Sequence, residues 1–136
     1  METDLEKLYK DYVAAWLAHD VEAVAAYFTD DGVYEDVALG ILNRGRREVT
    51  AFVQATLAAI PDFKIEPKSV FAAVDRLCVE LIMTGTQTGD FPGLPATGKS
   101  FSIRIASIME FQKGKICRIT DYWSLASFPQ QERAMA

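Results

Sequence analysis

At Pro61 the spacing of apolar residues changes from three-and-four to two, which divides the chain into a helical first part and a sheet-forming second part. Before Pro61, Thr3-Asp4-Leu5-Glu6 forms a capping box: the Thr hydroxyl accepts a backbone N–H and Glu6 reaches back to the cap. A helix is expected from there to about His19, with Leu5, Leu8, Tyr9, Tyr12, Val13, Trp16 and Leu17 on one stripe. Asp20 caps a second, short helix carrying Val21, Val24, Ala25 and Phe28, and Thr29-Asp30-Asp31-Gly32 reads as a turn. Residues 33–37 read as a short strand and 40–45 as a loop. A third helix over 46–59 buries Val49, Phe52, Val53, Thr56 and Leu57 until Pro61, which has no N–H to donate, ends it.

After Pro61, four long segments rich in β-branched and aromatic residues follow at 63–73, 77–88, 100–111 and 116–125, separated by turn signals. Strict alternation lines up Phe63, Ile65 and Phe71; Leu77, Val79, Leu81 and Met83; Phe101, Ile103, Ile105, Met109 and Phe111; and Cys117, Ile119, Trp123 and Leu125 as one apolar face. Three helices followed by a curved, mainly antiparallel sheet describe a single α+β domain over 1–136, with the helices on the concave side.

Composition narrows the function. The 136 residues carry 14 Lys+Arg against 19 Asp+Glu, a formal charge of −5, which argues against a nucleic-acid partner because phosphates would meet a net-negative surface. One His and two Cys leave too little material for a zinc site, so no metal is expected, and Gly85-Thr86-Gln87-Thr88-Gly89 lacks nucleotide-binding spacing, so no cofactor is expected either. Nowhere do 18 apolar residues stand together, so the chain reads as cytoplasmic with no membrane partner.

Two polar residues interrupt the apolar face: Asp121 between Ile119 and Trp123, and Ser107 between Ile105 and Met109. A carboxylate among apolar neighbours has its pKa pushed upward, toward the range of a general acid or base. The alternative is a carboxylate satisfied by a backbone or Arg partner. Asp36 is a second candidate, with Glu35 on the opposite side of the same strand, and Tyr12 a third, since a buried phenol needs a partner. His19, the one histidine, sits at a helix end where capping or a surface role is expected. Phe91-Pro92-Gly93-Leu94-Pro95 reads either as a pocket lid or as a loop folded down to close the core.

Tyr12-Val13-Ala14-Ala15, Asp20 and Phe28 through Asp36 resemble the ketosteroid isomerase branch of the nuclear-transport-factor-2-like superfamily, in which a Tyr and an Asp 24 positions apart act as oxyanion donor and base. Gly93-Leu94-Pro95, Thr97-Gly98-Lys99, Glu110-Phe111, Gly114-Lys115-Ile116 and Asp121-Tyr122-Trp123 are similar to the SnoaL-like polyketide cyclase branch, whose acid/base is an Asp on the last strand. The resemblance implies a cone-shaped fold and a cofactor-free cyclase or isomerase acting on a hydrophobic carbonyl compound. Asp36 and Asp121 would be the acid/base pair and Tyr12 the enolate donor. The substrate would lie among Trp16, Tyr34, Phe52, Phe71, Met83, Phe91, Leu94, Ile105, Ser107 and Trp123. At Ser107 the isomerases carry a protonated carboxylic acid, and the cyclases' His has no counterpart. A one-residue slip in the last strand would put Ser124 in place of Asp121.

Two other readings stand beside this one: a non-catalytic module that binds a small hydrophobic molecule or dimerises, and an epoxide hydrolase-like site using Arg104 and Asp121, although Ala106 stands where its other Asp belongs. The second face of the sheet, with Thr84, Ile108 and Tyr122, suggests a homodimer.

Overall fold

A computed structural model describes residues 2–129; Met1 and residues 130–136, at the two ends of the expected domain, lie outside the described residues. Helix α1 spans Asp4–Leu17, and Thr3 caps it by accepting the Glu6 N–H at 3.1 Å. Its stripe buries Tyr9, Tyr12, Val13, Ala15 and Trp16, while Leu17 falls off the stripe and is 47 % exposed. His19 terminates the turn in the left-handed region (φ 56°), its ring Nε2 within hydrogen-bond distance (3.0 Å) of the Phe63 carbonyl. Helix α2 (Val21–Ala26) is capped by Asp20, which accepts the Ala23 N–H at 3.0 Å. Helix α3 (Gly45–Ala59) starts where Gly45 adopts φ 82°, and Glu48 accepts the Arg44 N–H at its N-terminus.

Six strands form one mixed sheet: β1 (Phe28–Asp36), β2 (Ile41–Arg44), β3 (Lys64–Ala72), β4 (Arg76–Thr86), β5 (Ser100–Gln112) and β6 (Lys115–Tyr122), in the order β2-β1-β6-β5-β4-β3. All neighbours are antiparallel except β1 and β6, which run parallel. The helices pack on one face of the sheet, as the change of period requires.

Several sequence expectations need correction. Phe28 belongs to β1, fully buried, rather than to the second helix, and 29–32 is irregular strand rather than a turn. The segment 40–45 is mostly strand β2, because β1 turns back on itself at 37–40 and pairs with it. Two bulges shift the alternation. In β3, Pro67 pairs with Leu81 and Ser69 with Glu80, so Lys68 is an extra residue and parity reverses beyond it. Val70 then faces inward opposite Val79, and Phe71 turns outward, 65 % exposed. In β6, Cys117 is the extra residue, which seats Ile116 rather than Cys117 in the core. Leu125 leaves the sheet altogether, in a short 3₁₀ turn.

Among the described residues, no helix is long and apolar enough to cross a membrane.

Candidate active site

Between the helices and the inner sheet face lies a cavity with about 90 Å³ open to the centre of a water molecule, room for several waters or a small organic ligand by the criterion that one water needs roughly 10–15 Å³ in this measure. Its wall includes Asp36, Asp121, Tyr12, Trp16, Tyr34, Phe52, Met83, Phe91, Leu94, Ile105, Ser107 and Trp123. Phe71, expected there, is excluded by the β3 bulge. Arg104 lies on the opposite face of the sheet from Asp121, exposed, so the Asp–Arg set of an epoxide hydrolase is not assembled. Glu35 also points away from the cavity and pairs with Arg118.

Asp121 is the electrostatic centre of the cavity. It is 7 % exposed, faces inward from β6, and stands directly opposite Ser107 on β5 and beside Asp36 on β1. One carboxylate oxygen accepts the Ser107 hydroxyl and the other accepts the Tyr34 hydroxyl at 2.5 Å. Burial removes water from the charge and pushes the carboxyl up to about 6; the Ser107 and Tyr34 hydrogen bonds pull it down, and the negative Asp36 pushes it up. Ser124, the register alternative, is exposed beyond the end of the strand.

Asp36 is held by the Trp123 indole N–H, at 3.0 and 3.1 Å from its two oxygens, and by the Leu39 N–H at 3.0 Å. Burial raises its pKa too, against those hydrogen bonds. Tyr12 lines the cavity, where burial, the larger effect, raises its pKa and the Trp16 side chain acts to lower it. Burial keeps the Tyr12 phenol protonated far above neutrality, so it is a donor and not a base. The Tyr34 ring is braced by Phe28 and Phe52, with centroids 6.1 and 4.9 Å away, and this fixes its hydroxyl against Asp121.

The 91–94 segment folds down as a tight turn, with Phe91 and Leu94 exchanging backbone hydrogen bonds of 3.0 and 2.8 Å and Gly93 at φ 81°. Both side chains reach the cavity, Phe91 edge-on to Phe52 at 5.7 Å. Several wall residues were not among the predicted site residues, Tyr9, Gln87 and Phe128 among them. Tyr9 carried a usable signal, since it shares the α1 stripe with Tyr12 and Trp16. Phe128 did not, because it lies in irregular chain and meets Phe101 only through the fold, at 4.7 Å.

The raised Asp121 pKa has a consequence for stability. Between pH 4 and 6 the unfolded chain would release this proton while the folded chain keeps it, so the group's contribution to stability falls as pH rises through that window. Asp121→Asn, which cannot ionise, is expected to gain on the natural sequence by up to about 3 kcal/mol between pH 4 and pH 7, at 1.36 kcal/mol per pKa unit. Urea unfolding of both chains at the two pH values checks this, and a constant difference would refute the buried-charge account.

Comparison with known proteins agrees with the fold. The family model described as SnoaL-like polyketide cyclase matches residues 6–132. A ketosteroid isomerase-fold protein from Catenulispora acidiphila DSM 44928, crystallised with trimethylamine, superposes with a TM-score of 0.78 at 24 % identity, covering 88 % of this chain and 87 % of that one. A protein assigned to the SnoaL-like polyketide cyclases from Jannaschia sp. CCS1 gives 0.81 at 16 % identity, with coverage of 92 % and 88 %. One assigned as a polyketide cyclase from Pseudomonas putida KT2440 gives 0.76 at 24 % identity, with coverage of 93 % and 96 %. Comparison with curated protein sequences gives no match. With nearly the whole chain matched by the family model and the cone of three helices on a six-stranded sheet in place, the chain belongs to the SnoaL-like polyketide cyclase family.

Proposed function

We propose that the chain is a cofactor-free enzyme of the cyclase or isomerase type, acting on a small hydrophobic carbonyl compound held in the cone. The observation that carries this reading is Asp121: a carboxyl sealed among apolar and aromatic side chains, oriented by two hydroxyls and poised near pH 6. Ionised, it removes a proton from the carbon beside the carbonyl. The C–H electron pair moves into the new carbon–carbon double bond, and the carbonyl oxygen takes up the negative charge. Tyr12, a buried phenol that stays protonated, donates its hydroxyl hydrogen to that oxygen as the charge develops. Return of the proton from Asp121 to a different carbon gives isomerisation, while attack of the enolate carbon on a second carbonyl breaks its π bond and closes a ring, and the new alkoxide takes the proton from Asp121. Asp36, the register neighbour of Asp121, acts to raise its pKa and so helps hold the base within its working range.

Deuterium uptake by 2-tetralone in heavy water tests the first step. Exchange faster than in buffer, abolished when the cavity is blocked by a competing ligand, is the expected result. A ketone that binds without exchanging would leave a binding module of the same fold.

The outer sheet face supports pairing of two copies. Tyr122 (47 % exposed) and Phe71 (65 % exposed) flank the partly covered Ile82 and Ile108, with Glu80 and Arg104 of opposite charge on the same face. Light scattering at micromolar concentration is expected to give twice the chain mass, and Tyr122→Glu to give one chain mass. A monomeric natural chain would rule out the pairing.

A further inference from the structure

Among the described residues, three buried side-chain polar atoms have no hydrogen-bond partner: Thr29 Oγ1, Arg46 Nε and Gln87 Oε1. Only Gln87 belongs to the cavity wall. Its residue is 1 % exposed, and its amide nitrogen donates to the Leu94 carbonyl at 2.6 Å. A carbonyl can only accept, so this bond settles which end of the amide faces Leu94 and leaves the Oε1 acceptor on the other side. The backbone is equally committed: the Gln87 N–H donates to the Lys99 carbonyl at 3.3 Å and the Gly98 N–H to the Gln87 carbonyl at 2.9 Å. With the backbone held by two hydrogen bonds and the amide nitrogen by a third, the unpaired buried Oε1 is costly to keep.

Gln87 also stands well away from the acid pair. It follows Thr86, which pairs with Ser100 at the start of β5, whereas Asp121 pairs with Ser107 further along the same strand. Next to it is the Phe91–Leu94 turn, whose side chains form the apolar part of that end of the cavity.

We propose that Gln87 Oε1 is a recognition acceptor for a hydroxyl or N–H carried by the ligand at the end remote from its reacting carbonyl. The ligand class is then an elongated apolar ketone with a hydrogen-bond donor at its far end. This rests on the reading that the cavity takes an apolar carbonyl compound, but it concerns binding and not turnover. A site built around a donor discriminates against the analogue lacking it, because the buried acceptor is then left unpaired.

The test compares 2-naphthol with 2-methylnaphthalene, nearly equal in shape and different in the donor, by fluorescence titration. The natural chain is expected to bind the naphthol about tenfold tighter or more. Gln87→Met should bring the ratio close to one while leaving 2-methylnaphthalene affinity intact. Equal affinities in the natural chain, binding of neither compound, or a preference that survives Gln87→Met would each overturn the inference. If Gln87→Met does not fold, the natural chain alone decides: the Gln87 Cδ carbon-13 resonance should move downfield with the naphthol and not with the methyl compound, and identical shifts would count against it. A naphthol preference lost in Gln87→Met, together with no exchange of bound 2-tetralone, would leave Gln87 as a recognition group and remove the catalytic reading.

Discussion

Asp121→Asn is expected to slow deuterium exchange into 2-tetralone by a factor on the order of 10²–10⁴, the usual worth of a positioned general base. The substitution keeps the shape, and the amide still has an oxygen for one of the two hydroxyls of Ser107 and Tyr34. Folding is therefore preserved and the loss is chemical. In the natural chain kcat/KM should rise with pH to a plateau with a midpoint near 6, because only the ionised carboxylate accepts a proton and burial holds its pKa at about 6. Asp36→Asn removes the adjacent negative charge that raises Asp121, so the midpoint should move down. The two substitutions thus give different signatures: one removes the rate and the other displaces the profile. If Asp36→Asn removes the rate while Asp121→Asn leaves it within a factor of two, the base is Asp36 and the assignment made here is reversed.

The second large effect is expected from Tyr12→Phe, which removes one hydroxyl and leaves a ring packed against Tyr27 and Phe28, with centroids 5.7 and 6.2 Å away. Losing a preorganised donor to a developing oxyanion costs roughly 10²–10³ in kcat. KM should change little, because a neutral ketone oxygen gains less from that bond than an enolate does. Ser107→Ala is the control. Its hydroxyl is spent on Asp121, so its loss should raise the pH midpoint, since that bond lowers the carboxyl's pKa, and should leave the plateau rate closer to natural. Stopped exchange assays across pH 5–9 separate the three variants. A Tyr12→Phe rate unchanged at every pH would show that another group, Tyr9 being nearest on the same helix stripe, carries the oxyanion.

The order of elements was legible in the sequence because it depends on local signals: the Thr3 and Asp20 caps, the α1 stripe, Pro61 and the two-residue alternation beyond it. Strand β2 was not, because 41–44 has neither alternation nor length and exists only as the partner of β1. The inward direction of Asp121 and Ser107 followed from alternation, since no bulge lies between Ile105 and Met109 or between Ile119 and Tyr122. Phe71 and Cys117 failed for the opposite reason: each lies at or beyond an extra residue that a sequence does not announce. The partner of Asp121 was equally out of reach. Tyr34 is separated from it by 87 positions, and only the strand pairing brings the hydroxyl to the carboxylate.

The parallel contact between β1 and β6 also determines when the site can come into being. Asp36 and Asp121 are register neighbours across it, yet they come from the first and last strands of the chain. Contacts so distant in sequence are closed late, after local helices and hairpins have formed. Any fragment that ends before β6 keeps the three helices and much of the apolar wall, and with them the Tyr34 and Ser107 hydroxyls, but it lacks the Asp121 they orient and the Trp123 that holds Asp36. Proton-transfer activity should therefore report completion of the whole chain, appearing in refolding only with the slowest phase. A nascent or proteolysed piece could still soak up apolar molecules without transforming them.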